Sequence, residues 1–174
     1  MNAIFRLTDL NALMFTVLVL LSFVSCERIP EPNTKITIRD GLIFKQGEQK
    51  PFSGTINDTV NGKMIEYEVA NGKKNGEFKT YFKNGKLEMM GQIEKNLNQG
   101  KWTYYYQSGQ VESEGTFKDD LPDGQWKWFY ENGNLKEEGN YEKGNRDGKC
   151  VLYEADGKIK EEKVFKKNLI IEAK

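Results

Sequence analysis

The sequence predicts an all-β fold: an open antiparallel meander of β-hairpin repeats with a 24-residue period, laid out as a single elongated sheet. Three series of glycines carry that period. They fall at Gly76, Gly100, Gly124 and Gly148, then at Gly85, Gly109, Gly133 and Gly157, and then at Gly91, Gly115 and Gly139, where Lys163 ends the third series. A fixed spacing of this length marks a repeat architecture. The second observation is that alternating apolar and polar residues flank Asn84-Gly85, Ser108-Gly109, Asn132-Gly133 and Asp156-Gly157. Such pairs supply the positive φ angles of a two-residue hairpin turn, which centres each repeat on a hairpin.

With that turn as the centre, the pairing inside one repeat follows. Tyr106 is expected opposite Val111, Tyr104 opposite Ser113, Trp102 opposite Gly115 and Gly100 opposite Phe117. Side chains alternate along a strand, so these residues share one face. The aromatic rings then lie across from glycines, where a ring can cover bare backbone. The same register puts Phe78 across from Gly91 and Trp126 across from Gly139, and sets Ile93, Tyr141 and Phe165 across from Gly76, Gly124 and Gly148. The opposite face is expected to be polar, with Lys127 facing Glu138 and one aromatic per repeat: Tyr81, Tyr105, Phe129 and Tyr153. A second set of turns, at polar connectors such as 118–123, joins one hairpin to the next. No single repeat holds a core of its own, so stability is shared between neighbours.

The remaining segments take their places around the array. Residues 1–25 read as an export signal, with an apolar run over 12–24 that suits a signal-peptide core better than a bilayer span. It ends in Ser22-Phe23-Val24-Ser25-Cys26, which resembles a bacterial lipobox and implies lipidation of Cys26; the alternative is an uncleaved signal anchor. Residues 26–39 read as a tether carrying Pro30 and Pro32 among charges, and the first short strand, ITI, begins at its end. Residues 40–75 form an N-terminal cap and a degenerate repeat, with Ile56 in the tryptophan slot and Asn61-Gly62 as its turn. Four repeats follow over 76–99, 100–123, 124–147 and 148–171. The last one decays into a C-terminal cap: Cys150 replaces the tryptophan, and Leu169-Ile170-Ile171 makes an edge strand.

Composition excludes several functions. The chain of 174 residues has 26 basic and 26 acidic side chains, evenly spread, which argues against nucleic acid as a partner. It has no histidine and two cysteines, so His-dependent catalysis and His/Cys metal clusters are excluded. The recurring glutamates Glu112, Glu114, Glu137, Glu138, Glu161 and Glu162 alternate with lysines on second strands and read as solvated charges, not as a glycosidase pair. Cys150 has no base to activate it and reads as a small core residue. No catalytic residue, metal site or cofactor is expected. The row Tyr81, Tyr105, Phe129 and Tyr153 has two readings: a thin hydrophobic layer under lysine tails, or a contact surface for a partner.

The pattern G-x-W-x-x-Y-Y-x-x-G-x-x-x-x-x-G, continued to the next Asp-Gly, resembles the variant MORN (membrane occupation and recognition nexus) repeat. With the lipobox-like start and the lead-in DGLIFKQGEQKPFSG, the layout resembles bacterial proteins of the YwqK family over residues 40–165. The resemblance implies a repeat scaffold, and the family name carries an antitoxin role. A lipid anchor moves that role to the envelope and makes it immunity-like. The expectation is a non-catalytic, membrane-anchored scaffold that binds a protein partner in the bacterial envelope. Alternatives are a lipid- or glycan-binding envelope module and, last, a cell-wall enzyme.

Overall fold

The structure is a computed structural model and describes residues 35–174. The export signal, Cys26 and the tether as far as residue 34 lie outside the described residues. A two-stranded hairpin comes first, β1 (Ile36–Arg39) and β2 (Leu42–Lys45). Twelve strands then form one open antiparallel sheet: β3 (Gly54–Val60), β4 (Lys63–Ala70), β5 (Lys73–Tyr81), β6 (Leu87–Glu94), β7 (Leu97–Tyr105), β8 (Val111–Lys118), β9 (Leu121–Pro122), β10 (Gly124–Phe129), β11 (Leu135–Glu142), β12 (Asn145–Tyr153), β13 (Ile159–Lys166) and β14 (Leu169–Ala173). Each strand pairs with the next in sequence, except that β9 and β10 do not pair with each other. The short β9 and β10 together take the place of one strand, interrupted at Asp123, and both pair with β8. The predicted meander is therefore the observed fold, and each hairpin begins three residues ahead of its unit glycine.

The β1–β2 hairpin covers the start of the sheet. Ile43 sits in a buried cluster with Ile56, Tyr67 and Val69, and Ile36, Phe52, Ile65 and Phe78 pack against it. At the other end β14 is an open edge whose five residues are all exposed.

The register inside the repeats matches the expectation at five successive pairs, from Gly100↔Phe117 through Trp102↔Gly115 to Tyr104↔Ser113. Phe78↔Gly91, Trp126↔Gly139 and Gly148↔Phe165 follow the same rule. The turns of the four full repeats differ from the expectation. Among Asn84, Ser108, Asn132 and Asp156 none has positive φ; only the glycine after each does. The Tyr106 carbonyl accepts from Gly109 N–H, and Tyr106 N–H donates to the Gln110 carbonyl, which closes a three-residue turn. Phe82, Tyr130 and Glu154 head the equivalent turns. This is the type I turn with a left-handed glycine that three-residue hairpin loops favour. Asn84, Asn132 and Asp156 serve it through their side chains, each accepting from the N–H two residues on.

The longer turn shifts the register by one residue at the end of each hairpin. Val111 therefore pairs with Tyr105 and not with Tyr106, and the bulge recurs at Thr80/Tyr81, Trp128/Phe129 and Leu152/Tyr153.

The Asn61-Gly62 turn of the degenerate repeat is, as expected, a two-residue turn with positive φ at both positions; in the four full repeats such turns instead follow each hairpin, at Lys95-Asn96, Asp119-Asp120, Lys143-Gly144 and Lys167-Asn168. They dock on the preceding hairpin by paired hydrogen bonds. Lys74 N–H donates to Asn96 Oδ1 while Asn96 N–H donates to the Lys74 carbonyl; Asn98 with Asp120 and Arg146 with Asn168 repeat the arrangement. In the third copy the donor's position is held by Pro122, which has no N–H, and the acceptor's by Gly144, which has no side chain. Only the Gly144 N–H to Pro122 carbonyl bond remains. One missing group faces another, so no polar group is stranded.

A further difference concerns which ring covers which glycine. Trp102 pairs with Gly115, yet it leans the other way, onto Gly91, while Trp126 leans onto Gly115. A Cβ on Gly91 or Gly115 would overlap the indole above it. Each indole N–H then reaches back to a backbone carbonyl, Trp102 to Gln92 at 3.2 Å and Trp126 to Thr116 at 3.1 Å. The repeats are thus laid like roof tiles, each ring locking the strand before it. In the fourth repeat Cys150 is too short to do this and only touches Gly139. Arg146 supplies the cover instead. Its guanidinium lies 5.8 Å from the Tyr141 ring centre and 5.4 Å from that of Phe165, and it is held by Glu137 at 2.6 Å.

Candidate interaction face

The row predicted on the polar face is present. Tyr81, Tyr105, Phe129 and Tyr153 each follow a register shift near the hairpin turns, and all four are half-buried. Tyr105 Oη contacts Met90 Sδ at 3.6 Å, and Tyr153 Oη donates to Glu138 Oε1 at 2.9 Å. These contacts place the phenols among the polar-face residues of the neighbouring strands. Burial pushes the Tyr81 phenol above its ordinary range, helped by the Glu66 carboxylate. Burial also raises that of Tyr153, helped by its hydrogen bond to Glu138. Both tyrosines therefore stay neutral at neutral pH and act as apolar rings with a polar tip.

Sequence reasoning missed half of this row. The register shift brings Leu87 opposite Tyr81, Val111 opposite Tyr105, Leu135 opposite Phe129 and Ile159 opposite Tyr153. The row is a continuous band of alternating aromatic and aliphatic residues across eight strands, roughly 35 Å long at strand spacing. Ile159 is 59% exposed, so the band opens to solvent at its C-terminal end. The signal was available in the sequence: Leu87, Val111, Leu135 and Ile159 recur at the same 24-residue period.

Next to the band runs a row of mixed charge. Glu66↔Lys79↔Met90↔Thr103↔Glu114↔Lys127↔Glu138↔Val151↔Glu162 are successive cross-strand partners. The expected Lys127–Glu138 pair is in register, but Glu138 is engaged by Tyr153 and Gln125. The ion pairs run diagonally instead, Lys101–Glu114 at 2.8 Å and Lys149–Glu162 at 2.8 Å. Long side chains reach a diagonal neighbour easily. A shallow depression of about 170 Å³ lies among Lys101, Glu114, Thr116, Gln125 and Lys127, and it is lined by both signs of charge.

Cys150 is 2% exposed, and its thiol is pushed up to about 11 by burial and by the adjacent Glu137 carboxylate. It stays a neutral thiol at neutral pH, which is the chemistry of a core residue and not of a nucleophile. Among the described residues no group of three or more Cys, Asp or Glu side chains is arranged to hold a metal ion.

The MORN repeat variant pattern matches the chain four times, at residues 74–95, 98–119, 122–143 and 146–167, together just over half of its length. The chain belongs to the MORN repeat-variant family. Each MORN match coincides with one hairpin, from β5–β6 to β12–β13, displaced by a single residue. The β3–β4 hairpin lies outside the matches, as its shortened length and missing tryptophan would have it. No curated protein matches the chain. Membership fixes the chain as a repeat scaffold of a binding type, and its chemistry must be argued from its own faces.

Proposed function

We propose that this MORN protein is a non-catalytic scaffold, anchored in the bacterial envelope by a lipid on Cys26, that binds a protein partner through its polar face. The observation that carries the reading is the band of Tyr81, Leu87, Tyr105, Val111, Phe129, Leu135, Tyr153 and Ile159, half-buried except at the exposed Ile159, beside a row that carries charges of both signs. Aromatic anchors inside a polar rim are the usual anatomy of a protein interface. The band is long and flat, which fits an extended segment or a broad protein surface better than a small molecule. The alternating signs of the neighbouring row provide no cationic field for anionic headgroups, so a lipid surface is the weaker partner for this face. The resemblance to the YwqK family gives the partner a class: a toxin that the scaffold neutralises in the envelope, in an immunity-like role.

The double variant Tyr105→Ser, Phe129→Ser should keep its β-sheet circular dichroism and lose cross-linking to the partner that the wild-type chain captures in the envelope. A folded double variant that still cross-links would move the interface to the connectors around 118–123. The anchor has its own test. Cys26→Ser should abolish metabolic labelling with a fatty acid and release the chain from the membrane fraction. A variant that is processed and retained like the parent would refute lipidation.

A further inference from the structure

We propose that the C-terminal edge of the sheet, β14, pairs with β14 of a second copy of this chain in an antiparallel, two-fold symmetric dimer. The surface is independent of the polar-face reading. β14 ends the ladder and has a neighbour, β13, on one side only. Leu169, Ile170 and Ile171 are 71%, 55% and 65% exposed there. A run of exposed apolar residues beside unpaired backbone groups is a template for another strand. The other edge, β3, is better managed. The β1–β2 hairpin packs over its start, and Asn57-Asp58 stands in its middle. β14 has no such cover among the described residues.

Backbone geometry sets how a second strand bonds to this edge. Positions along an antiparallel ladder alternate between hydrogen-bonded and free. Lys174 exchanges both backbone bonds with Glu162, so the adjacent Ala173 turns its N–H and carbonyl outward. Leu169 closes the two-residue turn opposite Lys166, so Ile170 turns its own pair outward. Ile171 is the extra residue of a bulge between them, and Ile170 and Ala173 share the aromatic face, opposite Phe165 and Lys163. Set antiparallel to itself, the edge brings Ile170 opposite Ala173 of the second copy, and Ala173 opposite its Ile170. Each of these pairs exchanges both backbone bonds and sets a large side chain against a small one. Glu172 is held by Lys174 of its own strand at 2.9 Å, so no lone charge enters the seam.

Strand parity selects the same edge of a second copy. The ladder passes through an odd number of strands, each antiparallel to the last, so β3 and β14 run the same way. An antiparallel join of β14 to β3 would put the second aromatic layer on the opposite side of the sheet. A join with the layers aligned would be parallel, the less stable pairing. Rotation about an axis normal to the sheet brings β14 to β14 antiparallel, with both aromatic layers on one side. That rotation closes the assembly at two copies. A strand from an unrelated partner would meet the same backbone groups, but only the same edge matches the spacing of Ile170 and Ala173 in advance. The seam is short, below the roughly 1,200 Å² of a standard interface, so the dimer is weak and forms at high concentration.

Sedimentation of the full-length chain in density-matched detergent, at up to about 0.5 mM protein, should show a reversible equilibrium between monomer and dimer. Hydrogen exchange should show the Ile170 and Ala173 amides gaining protection as concentration rises, with those of β3 unchanged. Ala173→Pro removes an N–H that β13 does not use, so it should keep the melting temperature and weaken the dimer by at least about tenfold. Ile171→Lys should weaken it as well, by setting like charges across the seam, and Val60→Lys on β3 should leave it intact. A chain that stays monomeric throughout, assemblies larger than a dimer, or a dimer indifferent to both β14 variants would overturn the proposal. So would protection that appears on β3 in place of β14. A dimer lost in Tyr105→Ser, Phe129→Ser would overturn it too, by placing the contact on the polar face. The exchange readout uses the wild-type protein, so it stands even where Ala173→Pro fails to fold.

Discussion

Gly115→Ala should lower the melting temperature sharply, whereas Gly139→Ala should leave it unchanged or raise it. The two glycines occupy the same place in successive repeats, and neither has a positive φ. They differ in what lies above them. A Cβ at Gly115 would fall within the indole of Trp126, at 2.1 Å from its nearest carbon. The ring cannot retreat without giving up its hydrogen bond to the Thr116 carbonyl and its edge contact with Phe117 at 5.1 Å. Forcing a methyl group into such a contact costs on the order of 1–3 kcal/mol. A Cβ at Gly139 would meet Cys150 at 3.6 Å, an ordinary contact. There, removing the backbone freedom of a strand glycine contributes about 0.5–1 kcal/mol of stability. Thermal melts of the two variants decide the matter. Equal losses would mean that the rings do not overlap the glycines of the preceding repeat.

Arg146→Ala should be the second large effect, and it should exceed that of Arg146→Met. The arginine closes the slot that a tryptophan fills in the two preceding repeats. Its stem and guanidinium cover Cys150 and lie against Tyr141 and Phe165, and its charge holds Glu137 beside the buried thiol. Methionine keeps much of the cover and removes the charge, while alanine removes both. Truncation to alanine should cost about 2–3 kcal/mol, since it opens an apolar surface and strands a carboxylate that is still one-fifth exposed. The methionine variant should lose about 1 kcal/mol, the share of a partly exposed ion pair. Urea titrations separate the two. Equal losses would assign the whole effect to charge and none to cover.

Much of this fold was legible because its determinants are local and repeat. The glycine period, the alternation of side chains and the position of Trp102 opposite Gly115 fix a register that three copies must satisfy together, and Tyr104↔Ser113 and Gly148↔Phe165 follow from it. The placement of Tyr81, Tyr105, Phe129 and Tyr153 on the polar face follows from parity along each strand. The turn at Asn61-Gly62 is where the sequence puts it, and those of the four full repeats were misplaced for a physical reason. Asn-Gly pairs also suit a three-residue turn in which asparagine acts through its side chain. The two-residue turns carry residues such as Asp119-Asp120, whose left-handed conformation is supported by hydrogen bonds from the preceding repeat.

Other features belong to the tertiary structure alone. A sequence places Trp126 between two glycines, Gly115 and Gly139, and is silent on which one it covers. The lean of a ring across a sheet is settled by contacts between strands, which here send Trp102 and Trp126 toward the preceding repeat. That lean carries their indole N–H groups onto backbone carbonyls of the preceding repeat, and where Cys150 stands in the tryptophan position the slot is left to Arg146. One extra residue in each turn carries Val111 from one face to the other and completes the band on the polar face. The 24-residue period thus sets which residues are neighbours, and packing between repeats sets which of them are spent on the fold and which are left to bind.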